Sequence, residues 1–301
     1  MLAIEHWPLA ARRQITGVLT DIDDTLTTEG AITPDALAAL STLKTAGLDV
    51  IAITGRPVGW SEPFARDWPV NAIVAENGAV ALIASQKGLS RTSGGHVPLS
   101  KIYQVDTPTR AGNMARMQAV LARIERELPG VHPATDSPGR ETDIAIDHSE
   151  FARLSPGQIA DVVRIMRSEG LNATVSSIHI NGWFGSHNKL QGARWIVREL
   201  FGRNLDAEMD RWLYVGDSTN DQLMFEAFGN SIGVANVRRF EAQLSHLPRY
   251  ITWGERGRGL CRSGGRRAGG ARCLRPQDGL PSPSFSTSAF SLSKVSGANL
   301  P

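Results

Sequence analysis

Apolar runs that stop abruptly at acidic or hydroxyl residues punctuate the first quarter of the chain. The run 15–19 leads into Thr20-Asp21-Ile22-Asp23-Asp24-Thr25-Leu26, Val50-Ile51-Ala52-Ile53 leads into Thr54-Gly55-Arg56-Pro57, and Ala72–Ala75 leads into the turn sequence Glu76-Asn77-Gly78. Strands buried on both faces of a parallel sheet read as continuous apolar runs of this kind. Between the first two, Thr33-Pro34 supplies an N-cap and a proline at the first helical position, and a helix over 35–46 is expected to end at Gly47. Pro57 can start the next helix. Right-handed βαβ units follow, and with them a doubly wound parallel sheet with helices on both faces.

The texture changes from about residue 86 to 183. Alternating strands at 102–105 and 143–147 are interleaved with amphipathic helices near 110–128 and 156–169, which predicts an inserted α+β unit. Met114 and Met117, at helical spacing, fit its core. The βα pattern then resumes with a helix over Lys189–Phe201, strands at 212–215 and 231–234, and a helix over 221–228. The expected organisation is a Rossmann-like α/β core from 1–85 plus 184–254, split by an insert over 86–183.

Past Gly254 hydrophobic periodicity vanishes, and Gly, Arg, Ser and Pro dominate. A disordered, solvated appendage over 255–301 is expected. An arginine-rich RNA-binding tail and an out-of-frame segment are the alternatives. Seven arginines and no acid lie between Arg256 and Arg275, so the remainder of this net +2 chain carries −5. A mildly acidic body removes the electrostatic case for nucleic-acid binding by the body.

With 41% hydrophobic residues in 301, there is enough apolar material for real cores. Nothing approaches the roughly 18 to 20 consecutive apolar residues of a membrane span, and the N-terminal segment lacks a secretory apolar run. A cytoplasmic location is the expectation, with no membrane partner. Both cysteines, Cys261 and Cys273, lie in the last fifth, so the rest of the chain has no thiol for disulfide or metal chemistry.

The ends of the predicted strands collect one chemical inventory. Three carboxylates in four positions (Asp21, Asp23, Asp24) repel one another and need a cation to be stable together. Thr54, Lys189 and a second acidic group, Gly216-Asp217-Ser218-Thr219-Asn220-Asp221, complete the set. Phosphoryl transfer needs a nucleophile, an acid/base, donors to the phosphoryl oxygens and a metal-binding acid.

In that order, the motifs D-x-D-x-T, Thr, Lys and G-D-x-x-x-D resemble those of the haloacid dehalogenase (HAD) superfamily of aspartate-nucleophile phosphatases, over roughly residues 15 to 254. The place and size of the insert, and Glu76-Asn77-Gly78-Ala79, are similar to the type IIB cap subfamily, which includes sucrose-phosphate and mannosyl-3-phosphoglycerate phosphatases.

The resemblance implies Asp21 as nucleophile and Asp23 as general acid and base. It implies a Mg²⁺ ion held by Asp21, the Asp23 backbone carbonyl and Asp217, with Asp221 assisting directly or through water. Thr54 would hold a phosphoryl oxygen, and Lys189 would pair with Asp21 and the phosphate. Substrate contacts are expected from Thr54, Gly55, Arg56, Asn77, His179 and Asn220.

Other readings accompany several of these residues. Arg56 could instead make a surface salt bridge, and Asp221 could serve only as a helix N-terminal acid. His179, Asn181 and His187 could pack the hinge rather than read a sugar hydroxyl, and Trp183 fits hinge core. Asn220 could orient Lys189 or the nucleophile. Asp24, where many family members have glycine, is expected to be solvated or capping.

The implied activity is hydrolysis of a small phosphorylated metabolite such as a sugar phosphate. The alternative is a phosphomannomutase-like phosphotransferase, and the sequence leaves monomer or homodimer open.

Overall fold

The computed structural model describes residues 1–84, 98–262 and 272–273. Among these, nine strands form one sheet in the order Leu2–Ala3, Tyr250–Ile251, Ser231–Gly233, Trp212–Gly216, Gly17–Thr20, Asp49–Ile53, Ala72–Ala75, Val80–Ala84, Leu99–Tyr103. The pairings from Leu2–Ala3 through Ala72–Ala75 are parallel, and the last two are antiparallel. Gly17–Thr20 lies at the centre, and the chain winds outward from it in both directions. That is a topological switch point, the place where open α/β sheets form ligand crevices beyond their strand ends.

Helices cover both faces, and each face buries its own apolar cluster, one around Leu40, Val50 and Leu213 and the other around Ile51, Ile196 and Tyr214. Local rules set the helix ends. Thr33 Oγ1 accepts from Ala36 N at 3.2 Å at the start of Pro34–Thr45. Pro57 caps Val58–Asp67, and Asn188 Oδ1 accepts from Gln191 N at 2.9 Å to start Lys189–Phe201.

A separate three-stranded antiparallel sheet, ordered Asn172–Val175, His179–Trp183, Ile144–Asp147, packs with helices Thr107–Glu127 and Pro156–Ser168 around Met117, Ile165 and Ile180. This is the cap.

Two expectations change. The strand expected at 102–105 within the insert is found at Leu99–Tyr103, where it extends the large sheet by pairing antiparallel with Val80–Ala84. Leu99 and Tyr103 pack against the apolar cluster on one face of that sheet and Ile102 against the cluster on the other. The expected disorder from 255 is also corrected at its start. Arg256–Leu260 forms a helical turn, Arg256 N donates to Asn236 Oδ1 at 3.0 Å, and the Arg256 guanidinium pairs with Asp24 at 3.0 Å. Residues 263–271 and 274–301, which hold the rest of the expected tail, lie outside the described residues. Among the described residues no helix is long and apolar enough to cross a membrane.

Candidate active site

The sheet's own hydrogen bonds place the first two motifs. Asp21 N donates to Val215 O at 2.8 Å, one register position beyond the strand, which leaves the Asp21 side chain at the sheet's carboxyl edge. Thr54 N donates to Val74 O at 2.9 Å, and Asn77 N returns to Thr54 O at 2.9 Å, so neighbouring strand ends fix one another. Asp24 has φ 55, in the left-handed region that glycine adopts without strain, and its carboxylate pairs with Arg256.

Lys189 is brought in by the helix it begins. Gly192, one turn on, lies so close to Gly78 that an added Cβ would come 2.6 Å from the Gly78 Cα. This backbone contact seats the helix against the Glu76-Asn77-Gly78 turn. From there Lys189 Nζ donates to Asp21 Oδ1 at 2.7 Å and to Asp221 Oδ1 at 2.6 Å, with all three side chains buried.

Asp221 is held from every side. Its Oδ1 also accepts from Tyr214 Oη at 2.5 Å, and its Oδ2 accepts from Asp217 N and Ser218 N at 2.8 and 3.1 Å. Gly216 makes room for this, since a Cβ there would meet Asp221 Oδ2 at 2.5 Å. Asp217 accepts from Asn236 Nδ2 at 2.9 Å.

Asp21, Asp217 and Asp221 each bring a carboxylate oxygen to within 4.8 Å of the others. Burial raises Asp21 to about 7 despite Lys189, with Asp221 and Asp23 adding to the rise. Burial, then Asp21, Asp221 and Asp24, holds Asp217 well above the ordinary carboxylate range. Burial alone would lower Lys189, but the two aspartates outweigh it and keep the ammonium charged.

Three buried carboxylates against one ammonium are a donor set that fits a hard divalent cation. Four donors already occupy Asp221, whereas Asp21 accepts only from Lys189 through Oδ1, and Asp217 accepts from Asn236 through Oδ2 and from Thr25 Oγ1 through Oδ1 at 3.5 Å. Through Oδ1, Asp221 also orients Lys189.

A narrow cavity over Asp21 and Asp23 is lined by Gly55, Arg56, Asn220 and the cap turn Ser176-Ser177-Ile178-His179. Six of the expected residues therefore meet there. Asn77 does not line it; its Nδ2 faces Asp143 Oδ2 at 3.5 Å. Asn220 Oδ1 accepts from Ser218 Oγ at 2.9 Å, and the aspartates orient Lys189 instead. His187 stacks on Trp183 at 5.5 Å, and burial pushes it down to about 4, so it belongs to the hinge.

Arg56 is no surface residue. It is 4% exposed and donates to Asp23 Oδ1 at 2.9 Å and to the cap carboxylates Asp136 and Glu150. The cap adds Arg140 and Asn181, both donating to Gly55 O, at 3.0 and 3.2 Å.

Sequence reading missed Tyr214, Asn236, Arg140 and Glu150. The first two could have been found, since Tyr214 lies in the strand that ends at Gly216 and Asn236 follows the end of Ser231–Gly233. The cap residues carry no comparable signal.

Residues 18–104 match the model of the haloacid dehalogenase-like hydrolases. The chain has the haloacid dehalogenase-like fold. A Thermoplasma acidophilum protein is similar at TM-score 0.58 and 16% identity, covering 81% of this chain and 93% of its own. A Synechocystis sucrose-phosphatase, solved with sucrose and phosphate, is similar at TM-score 0.55 and 15% identity, covering 81% and 94%. A HAD subclass IIB sugar phosphatase is similar at 0.52 and 15%, covering 79% and 93%. No curated protein matches the sequence. The HAD-like resemblance read from the four motifs therefore holds for the fold.

Proposed function

We propose that this chain is a Mg²⁺-dependent phosphatase that hydrolyses a small phosphorylated metabolite, a sugar or glycosyl phosphate, through a phosphoryl group carried on Asp21. One observation carries the reading. Lys189 joins Asp21 to Asp221 at 2.7 and 2.6 Å at the central strand end, with Asp23 two residues on and the cap closed above.

Lys189 holds one oxygen of Asp21 and leaves the other to attack phosphorus. Asp23 gives the departing alcohol its proton and then takes one from the water that releases phosphate. Thr54, whose hydroxyl now donates to Asp23 Oδ2 at 3.3 Å, is within reach of the same centre to hold a phosphoryl oxygen. Asp21 and Asp217, with the Asp23 carbonyl, would hold Mg²⁺, which when bound offsets negative charge on the phosphoryl oxygens. The cap excludes bulk water and chooses the leaving group.

The sugar-phosphate class is supported by the similar solved structures, whose names include sucrose and trehalose-6-phosphate phosphatases. No observation favours the phosphomutase alternative. Phosphate release from sugar phosphates with Mg²⁺ or with EDTA tests the reading, and metal-independent release or none would overturn it.

A further inference from the structure

Arg56 binds the proposed acid/base residue of the core to two carboxylates of the cap. Nε donates to Asp23 Oδ1 at 2.9 Å, Nη1 to Asp136 Oδ2 and Glu150 Oε2 at 3.1 Å each, and Nη2 to Glu150 Oε1 at 2.7 Å. The guanidinium also lies over Trp60, 4.9 Å from the ring centroid. A planar fork with its donors taken in this way has one orientation, and bidentate charge-assisted bonds are the strong kind.

Glu150 also meets the roof of the cavity: His179 Nε2, from the cap turn over Asp21 and Asp23, lies 3.0 Å from Glu150 Oε2, within ion-pair distance though not aligned as a hydrogen bond. The Asp23 carboxylate is thus aimed by a residue whose own direction the cap decides. Arg56 takes Oδ1, and only the weaker Thr54 contact at 3.3 Å occupies Oδ2. A phosphoryl group that claims the Thr54 hydroxyl would free that oxygen.

We propose that Glu150, acting through Arg56, is a positioning residue that aims Asp23 Oδ2 at the leaving-group oxygen only when the cap is closed. This rests on the phosphatase reading above. As the bond from phosphorus to the leaving oxygen breaks and the bond to Asp21 forms, the proton on Asp23 Oδ2 passes to the departing oxygen. In the second half, water gives its proton to that same Oδ2 as its oxygen bonds phosphorus and the Asp21 bond breaks. Asp136 supports the geometry by accepting from both Arg56 and Arg140, at 3.1 Å each.

Leaving groups separate this role from mere stabilisation of the cap. A sugar alkoxide needs a proton as it departs, whereas p-nitrophenolate does not. The test compares kcat/KM of wild type and Glu150→Gln for p-nitrophenyl phosphate and for the sugar phosphate that the wild type turns over fastest. General acid catalysis contributes about 10²- to 10⁴-fold, so the sugar phosphate is expected to lose at least about tenfold while the aryl phosphate changes less than about threefold. Arg56→Lys keeps the charge but cannot span Asp23 and Glu150 together; it shifts the ratio of the two substrates in the same direction and serves should the first variant not fold.

An equal fall for both substrates, or no fall for either, overturns the positioning role and leaves the phosphatase reading intact. A wild type that hydrolyses neither substrate overturns both.

Discussion

The ammonium of Lys189 and the carboxylate of Asp221 meet at 2.6 Å, and this contact explains why a lysine occupies the first position of a helix. A helix N-terminus disfavours a cation. Here two buried aspartates outweigh the dipole, and Asp221 in turn is fixed by Tyr214 and two backbone amides.

Lys189→Met should therefore be costly to the fold as well as to activity. Removing one partner of a buried ion pair typically costs about 3 to 5 kcal/mol, because the other charge is left uncompensated. Urea unfolding at pH 8 in EDTA is expected to show a loss of that order, and a loss under about 1 kcal/mol would mean that Lys189 is not the main counter-charge of the cluster.

The acid cluster should make metal-free stability fall as pH rises. Asp21 is raised from its ordinary 3.8 to about 7 by burial, so the stability its neutral form contributes is complete below about pH 4 and is lost as pH climbs through 7. Mg²⁺ needs the ionised carboxylates, so its stabilising effect should grow over the same window. Melting temperatures with EDTA and with Mg²⁺ should differ more at pH 8 than at pH 5; an equal difference at both would contradict the assignment of the cation to this cluster.

Gly192 offers a test of how the lysine is placed. Its Cβ would lie 2.6 Å from the Gly78 Cα, backbone against backbone, where neither side can yield cheaply. Gly192→Ala is expected to cost about 1 to 3 kcal/mol as overpacking. It should also lower kcat by up to about 10²-fold, because Lys189 lies in the adjacent turn and small misplacements of a reacting group are expensive. Unchanged kcat in a folded variant would separate Lys189 from this contact.

The core was legible in the sequence because its strands are buried on both faces and end at the residues that carry the chemistry. Ala72–Ala75 and Lys189–Phe201 fall where the apolar pattern puts them. Leu99–Tyr103 was misplaced because its membership of the large sheet is decided by antiparallel pairing with Val80–Ala84, which no local pattern of the strand reveals. Arg56 read as a surface residue as readily as a site residue, since its partners Asp136 and Glu150 lie 80 and 94 positions away. Asn77 shares a motif with the site yet turns toward Asp143, a choice made by the cap rather than by local sequence.

The most direct test of the central claim is phosphate release from a panel of sugar and glycosyl phosphates, with Mg²⁺ or EDTA, by wild type and Asp21→Asn. Release that needs Mg²⁺ and disappears in Asp21→Asn is the predicted result. Release that survives either EDTA or the loss of the Asp21 carboxylate would contradict it.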